Sequence, residues 1–219
     1  MKKIVLAVIA IILLSVSAIE AQTNDFYDDA ETIKFKMPVV EVLGEISNPG
    51  IVALENLPLR TVIVKETLLE NGKDKFIGAY RYDGHSLYDI LNVSILKKKN
   101  EAEFPPIIDL YVEIENNTGE KVVFSWGEIY YPIHQHEILI ATQVARIVPS
   151  KTKDLWPLPT APKVVAASDL YTFRNISNPV KITVKSYTGK YNIVKGLSPM
   201  YSKSFTIHEK GKLLAEIST

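Results

Sequence analysis

Residues 109–141 constrain the fold more than any other stretch of the chain. Apolar and polar side chains alternate over residues 110–115, the turn sequence Asn-Asn-Thr-Gly follows at residues 116–119, and residues 121–126 alternate again. Alternation with a period of two is typical of a half-buried strand, and a turn of this composition joins two such strands into a hairpin. The largely apolar residues 138–145 continue as a third strand. The stretch therefore predicts antiparallel β-sheet at the centre of the sequence.

Short strand patterns recur on both sides of this hairpin. They lie at residues 38–46, 51–54, 60–69, 75–82, 163–167 and 180–184, the last predicted as an outer strand, with two or three more in residues 186–219. Ser86 is predicted to begin a short helix, with Asp89 as its reciprocal capping partner. Asp83 and Gly84 are interpreted as the turn before that helix, and residues 97–106 as a mobile surface loop. The pattern predicts an α+β, mainly β, domain.

Residues 1–21 have the composition of a signal peptide. Two lysines precede an apolar run over residues 4–16, and small or aliphatic side chains lie before Ala21, after which cleavage is expected. Cleavage after Ala18 and an uncleaved anchor are the alternatives, although the run is shorter than the ~20 residues that a spanning helix needs. The mature protein is therefore predicted to be exported by a bacterium, to the periplasm or the medium, without a transmembrane span.

The remaining residues divide into three parts by composition. Residues 22–37 are polar and acidic and are predicted to form an exposed N-terminal segment. Residues 38–186 hold the predicted strands of a single domain. Residues 187–219 are expected to add C-terminal strands that pack on the same domain.

The absence of cysteine narrows the chemistry available to the chain. No disulfide can stabilise the exported fold, and neither a thiolate nucleophile nor a sulfur ligand for a metal can form. The chain has 25 basic and 25 acidic residues and no basic stripe with interleaved aromatic residues. Nucleic acid is therefore not expected as a partner, which leaves a small molecule or another protein.

His134 and His136 are the candidate metal ligands. If they open the third strand of the central stretch, their side chains share one face about 6.5–7 Å apart, where two imidazoles can converge on one cation. A third ligand would be needed, and spacing does not select among Glu128, His85 and His208. The alternatives are strand-end histidines bonded to backbone or water, and an acid–base or anion-binding role.

Five further side chains are candidate ligand-binding residues. Arg81 and His85 lie around the predicted turn at the start of the helix, where free N–H groups and the helix dipole favour an anion. Trp126 and Glu128 end the central hairpin, and Arg174 follows an aspartate five residues earlier. Structural roles are the alternative: Arg81 paired with a carboxylate, Trp126 as a core anchor, and Arg174 in an ion pair with that aspartate.

Four segments, taken in order, resemble a known family. They are VEVLGEISNPGIVALENLP (residues 40–58), YRYDGHSLYDIL (80–91), DLYVEIENNTGEKVVFSWGEI (109–129) and KVVAASDLYTFRNISNPVKITV (163–184). Together they are similar to the oxidoreductase molybdopterin-binding, sulfite oxidase-type, domain over about residues 38–186. In the second segment Tyr82 stands for the family's aromatic residue, and Gly84 and Leu87 for its glycine and leucine. The resemblance implies the fold of that family and raises molybdopterin as a cofactor.

The chain departs from the family at the metal. In catalytic members a cysteine just before the second segment supplies a thiolate to molybdenum, and the corresponding residues 62–75 contain none. Molybdenum is therefore not expected, and the oxo-transfer chemistry of the family should not operate. The arginines that hold the pterin phosphate in the family could correspond here only to Arg81, Arg146 or Arg174.

Three functions remain as hypotheses. The leading one is an exported, non-catalytic ligand-binding or accessory module with a sulfite oxidase-type fold, whose pocket lies near residues 81–85 and 126–136. The second is a molybdopterin- or metal-dependent oxidoreductase or binder that uses His134 and His136 in place of the lost thiolate. The third is a structural module whose C-terminal strands dock a partner protein.

Overall fold

The computed structural model describes residues 31–147, 156–188 and 204–218. The predicted signal peptide and the first part of the predicted exposed segment lie outside these ranges. Part of the proline-rich connection after residue 147 and the residues that lead to the C-terminal strands also lie outside them.

Twelve strands and two short helices make up the described fold. The strands are β1 (Thr32–Lys34), β2 (Val40–Gly44), β3 (Gly50–Val52), β4 (Arg60–Glu70), β5 (Lys73–Ser86), β6 (Leu110–Asn116), β7 (Lys121–Ser125), β8 (Ile138–Arg146), β9 (Lys163–Ala166), β10 (Pro179–Ser186), β11 (Ser204–Glu209) and β12 (Lys212–Ser218). The helices are α1 (Leu87–Leu91), α2 (Trp126–Tyr130) and a single 3₁₀ turn at Leu54–Asn56. The prediction of a mainly β domain with a few short helices is confirmed.

The strands form two five-stranded sheets and a separate hairpin. The first sheet has the order β1-β8-β5-β4, with β9 also paired to β8. The second sheet has the order β3-β2-β10-β6-β7 and is mixed, because β10 is parallel to β2 and antiparallel to β6. Strands β11 and β12 pair with each other, so the C-terminal strands are present but are not added to either sheet within the described residues.

The main core joins the two sheets. Val112 and Ile182 of the second sheet, Ile138 and Ile140 of β8, and the buried face of α1 belong to one apolar cluster. Ala141 and Val144 of β8 face a smaller cluster on the opposite side of the first sheet, together with Tyr80 and Tyr82. Strand β8 is thus buried on both faces, which explains why its sequence is a nearly continuous apolar run rather than an alternation.

Two local predictions in the strands are wrong. Asp83 and Gly84 do not form a turn, since β5 continues through them to Ser86. A Cβ atom at Gly84 would lie 2.2 Å from the backbone oxygen of Ile140, so this glycine allows β8 to approach closely. Strand β10 is the central strand of the second sheet rather than an outer one. Alternation of apolar and polar side chains indicates that one face of a strand is solvated. Central and edge strands of a sheet with one solvated face both show it, so the pattern does not distinguish them.

Two segments predicted as loose are anchored to the sheets. Thr32–Lys34, within the predicted exposed segment, pairs with β8. In the predicted mobile loop, Lys98 is buried and its ammonium lies 2.9 Å from the carboxylate of Asp109, while the Lys99 amide donates to buried Glu45 at 2.9 Å. The segment was predicted to be a mobile surface loop, but Asp109 and Glu45, which directly flank β6 and β2, bind the charge of Lys98 and the amide of Lys99.

Candidate functional site

A cavity of about 500 Å³ lies between the start of β4 and the loop that precedes β8. This volume is in the range of small-ligand sites. Apolar and polar side chains both line it: Thr61, Val62, Ile63, Ile133, His134, Gln135, His136, Glu137 and Ala167. Ile133 is 96% exposed and Ile63 is 51% exposed, so two aliphatic side chains face solvent at this cavity.

The loop that forms one wall is held at both ends. The Gln135 side-chain amide donates to the backbone oxygen of Tyr130, the last residue of α2, at 3.0 Å. At the other end the Ala167 amide donates to the backbone oxygen of Glu137 at 2.8 Å, next to the pairing of β8 with β9. The loop therefore has a defined position relative to α2 and β9.

His136 is held by the N-terminal cap of α1. Its Nδ1 lies 3.0 Å from the Ser86 hydroxyl and 3.5 Å from the Asp89 carboxylate. The Ser86 hydroxyl donates to Asp89 at 2.7 Å, because an ionised carboxylate can only accept. The serine oxygen accepts from the Asp89 amide and is left to accept from His136, which assigns a proton to Nδ1. Nε2, which has no hydrogen-bond partner among the described residues, is the nitrogen available to a ligand.

Asp89 anchors this arrangement electrostatically. Its carboxylate receives Arg60 Nε at 2.9 Å and Arg60 Nη2 at 3.3 Å in a bidentate pair. Burial opposes ionisation of Asp89, but the hydrogen bonds from Arg60 and Ser86 and the nearby His136 outweigh it and keep its pKa below the usual value. The carboxylate therefore stays ionised at neutral pH and keeps Ser86 oriented as its donor.

Aromatic rings support the other side of His136. The Tyr88 ring meets the imidazole edge-to-face, with centroids 5.4 Å apart, and contacts Tyr130 at 5.2 Å. Tyr130 in turn stacks on Trp126 at 4.3 Å. Burial raises the pKa of Tyr130 to about 12, so its hydroxyl carries no charge at neutral pH. The imidazole thus lies between an apolar row and an ionised carboxylate.

Three of the predicted ligand-binding residues have structural roles. Trp126 is buried in the main core. The Glu128 carboxylate accepts from the Ser125 amide at 2.7 Å and pairs with Arg174 at 2.8 Å. Arg174 also pairs with Asp169 and lies 4.3 Å from the centre of the Phe124 ring. Both charges are already matched, and neither side chain lines the cavity.

The other two predicted ligand-binding residues also lie outside the cavity lining. Arg81 donates to the Thr32 hydroxyl at 2.7 Å and lies 3.5 Å from the Asp83 carboxylate. His85 is buried, with Nδ1 3.2 Å from the backbone oxygen of Pro58 and with Nε2 unpartnered among the described residues. Among the seven predicted site residues, the cavity brings together only His134 and His136.

The prediction that His134 and His136 lie in a strand is wrong. Residues 134–137 form a turn, and β8 begins only at Ile138, so the shared-face spacing of a strand does not apply. Both histidines still line one cavity. Among the described residues, however, no group of three or more His, Cys, Asp or Glu side chains is placed to hold a metal ion.

Sequence reasoning missed two features of the site. The sequence Ser-Trp-Gly-Glu at residues 125–128 is a capping-box signature, and the reciprocal bonds of Ser125 and Glu128 do begin α2, which positions the loop. The contact between Ser86 and His136 had no signal, because it joins residues 50 positions apart in the sequence.

Comparisons with known proteins do not add to this description. No family model matches the chain, and neither a curated protein nor a solved structure does. Within the described ranges, no helix has both the length and the apolar character needed to cross a membrane.

Proposed function

We propose that the chain is an exported, non-catalytic ligand-binding or accessory module with a sulfite oxidase-type fold. The positions of the resembling segments support the fold. The first provides β2 and β3, the third provides β6 and β7, and the fourth provides β10, and these strands form one mixed sheet. The second segment provides the junction of β5 and α1, beside the cavity.

The observation that carries the binding role is the cavity itself. It combines two exposed aliphatic side chains, Ile63 and Ile133, with a histidine whose orientation is fixed by Ser86 and Asp89. Pockets that bind ligands combine apolar side chains with placed polar groups, and this cavity supplies both kinds, although polar residues form the larger part of its lining.

The residues present do not fit a molybdenum-bearing pterin. The chain has no cysteine to ligate the metal. A pterin phosphate would need cations, yet neither lysine nor arginine lines the cavity. Arg60 is paired with Asp89, Arg174 with Glu128 and Asp169, and Arg146 donates to the backbone oxygen of Trp156. We therefore assign no reaction step to that cofactor.

The test is analysis of the mature protein purified without chelator from the exported fraction of a host that makes molybdopterin. Elemental analysis would report molybdenum, zinc, copper and iron, and native mass spectrometry would report any retained molecule. The same measurements on His136→Ala would locate a retained molecule at the cavity. His208→Ala is the matched control, because His208 is exposed on the separate β11–β12 hairpin.

We expect every metal to be far below one equivalent, and a retained molecule to be lost in His136→Ala but kept in His208→Ala. Molybdenum near one equivalent would overturn the proposal. Zinc, copper or iron near one equivalent that is lost in the double variant His134→Ala/His136→Ala would replace it with the metal-dependent alternative. Equal retention by both single variants would place the ligand elsewhere.

A further inference from the structure

The cavity faces the edge of a strand rather than the face of a sheet. Its lining includes Thr61, Val62 and Ile63, which are consecutive in β4. Successive side chains of a strand point to opposite faces of the sheet, so only a space beside the strand can be lined by three in a row. Strand β4 is the terminal strand of the first sheet, and no strand among the described residues pairs with it on that side.

The direction of the backbone groups of β4 follows from its pairing. Glu70 and Lys73 flank the two-residue turn at Asn71 and Gly72, so they form a hydrogen-bonded pair. Along an antiparallel strand, hydrogen-bonded pairs alternate with non-hydrogen-bonded pairs, whose backbone groups point away from the partner strand. Thr67 falls on the outward side of this alternation, and its backbone oxygen does accept from the Thr172 amide at 2.9 Å.

The same alternation turns the N–H and C=O groups of Thr61, Ile63 and Lys65 away from β5. The irregularity in the pairing places the extra residue in β5, so the alternation within β4 is unbroken. None of these six backbone groups bonds to a described residue. Five residues of strand, roughly 13 Å, therefore present unpaired hydrogen-bonding groups beside the cavity.

We propose that this edge binds an extended segment of a partner polypeptide, which adds to the first sheet as a strand beside residues 61–65. The inference deepens the proposed function and rests on the cavity being the binding site. Main-chain bonds to Thr61, Ile63 and Lys65 supply the affinity, as in strand addition generally. The exposed Ile63 and Ile133 receive an aliphatic side chain of the segment.

The bordering residues favour a narrow segment over a second copy of the chain. Thr172 closes the edge at Thr67, and residues 133–137 form the wall beside Thr61. Strand β4 of a second copy is 11 residues long and would run past both borders. An extended segment of about five residues fits between them.

The side chains of β4 predict the sequence of the segment. Ile63 and Lys65 lie on one face of the strand, two residues apart, and both are exposed. Residues paired across two strands lie on the same face, so an aliphatic residue opposite Ile63 has its neighbour two positions away opposite Lys65. We expect that neighbour to be acidic, and we expect no proline in the paired stretch.

The experiment selects binders from a phage-displayed library of short linear peptides against the mature full-length protein. Synthetic versions of an enriched peptide are then measured by titration calorimetry, unmodified and with N-methyl groups on one or the other alternate set of amides. Ile63→Asp tests the location. Ile51→Asp is the matched control, since Ile51 is a 71% exposed isoleucine on β3, the edge strand of the second sheet.

Enriched peptides should carry an aliphatic and an acidic residue two positions apart. N-methylation of one alternate set should weaken binding by about tenfold or more, the loss of one or two ordinary hydrogen bonds, and methylation of the other set should not. Ile63→Asp should weaken binding by about tenfold or more, since it places a carboxylate beside the aliphatic contact, and Ile51→Asp should leave it unchanged.

Three results would overturn the inference. They are the absence of any enriched peptide, an equal effect of both N-methylated sets, and unchanged binding to Ile63→Asp. Concentration-dependent dimerisation that Ile63→Asp abolishes would also overturn it, in favour of a second copy. A retained small molecule that His136→Ala loses, found together with any of these results, would leave the proposed binding module standing without a peptide ligand.

Discussion

The two halves of strand β4 differ in how their polar groups are satisfied. In the second half the buried Glu66 carboxylate accepts from the Tyr82 hydroxyl and from Lys163, each at 2.7 Å, and Thr172 closes the strand edge at Thr67. In the first half no described residue bonds to the outward backbone groups of residues 61–65, and this edge borders the cavity. One strand thus serves as core at one end and as a candidate binding edge at the other.

The comparison shows which polar groups of a strand can still bind another molecule. A buried charge must be matched within the protein, because its desolvation is not otherwise compensated. An exposed strand edge can be satisfied by water, so it stays available to another chain. The predictions below test this difference between the halves of β4.

The largest effect is expected at the closed half. Lys163→Met leaves Glu66 buried without its cation; the two side chains are only 10% and 7% exposed. We expect a loss of about 3–5 kcal/mol in the free energy of unfolding, measured by urea denaturation. Lys65→Met, at an exposed lysine next to Glu66 in β4, is the control and should change stability by less than about 0.5 kcal/mol. Equal losses of stability in the two variants would contradict the view that only the second half of β4 holds a buried, matched charge.

The second effect concerns the ion pair of Arg60 with Asp89, at the start of β4. Asp89→Asn removes a carboxylate that accepts from Arg60 and Ser86, and we expect a loss of about 1.5–3 kcal/mol at neutral pH. The folded-state pKa of Asp89 lies below its unfolded value of about 3.9, so the ionised group contributes its full stability above that value.

That contribution should disappear as the pH falls through the folded-state pKa of Asp89. Urea unfolding of the wild-type protein and Asp89→Asn over a pH series should therefore show a difference that closes in acid. Glu41→Gln, at an exposed carboxylate of β2, should show little difference at any pH. A gap for Asp89→Asn that widens on acidification would contradict the assigned direction of the shift.

The third effect separates capping from the support of His136. Ser86→Ala and Ser125→Ala each remove an N-cap, of α1 and α2, and each should cost about 1 kcal/mol. Only Ser86 contacts His136. The nitrogen chemical shifts of the His136 ring, measured by NMR, should therefore lose the Nδ1-protonated signature in Ser86→Ala and keep it in Ser125→Ala. A change in both variants would show that the loop responds to helix stability alone.

The smallest effect is expected at the open edge. Ile63→Lys replaces a side chain that is half exposed, and we expect a change in stability within about 0.5 kcal/mol by thermal or urea unfolding. The same substitution at the next residue, Val64, which is 3% exposed, buries an unpaired charge and should cost more than about 3 kcal/mol. Similar costs at both positions would mean that the edge is covered in solution.

Most elements of the fold could be predicted because their signals are local. The β6–β7 hairpin and the Ser86 cap of α1 are both confirmed. Helix α2 had a local signal as well, in the capping box of Ser125 and Glu128, and it was overlooked. Export and the family assignment stay predictions.

The errors arose where a residue's role depends on a distant neighbour. Gly84 has the composition of a turn residue, but the backbone of β8 beside it makes it part of a strand. Lys98 belongs to a charge run, yet it is buried against Asp109. The candidate site also depends on distant neighbours. Only two of the seven predicted residues line the cavity, and no residue of β4, which forms its other wall, was predicted.

The sequence by itself determined the strand-rich class, the turns, the caps and the lack of thiolate chemistry, because periodicity, backbone preference and composition act over a few residues. The tertiary structure decided which strand lies at an edge, which charges are matched, and which loop faces β4. Those outcomes depend on pairing between residues far apart in the chain, such as His136 with Ser86, and such pairing leaves no mark in either local segment.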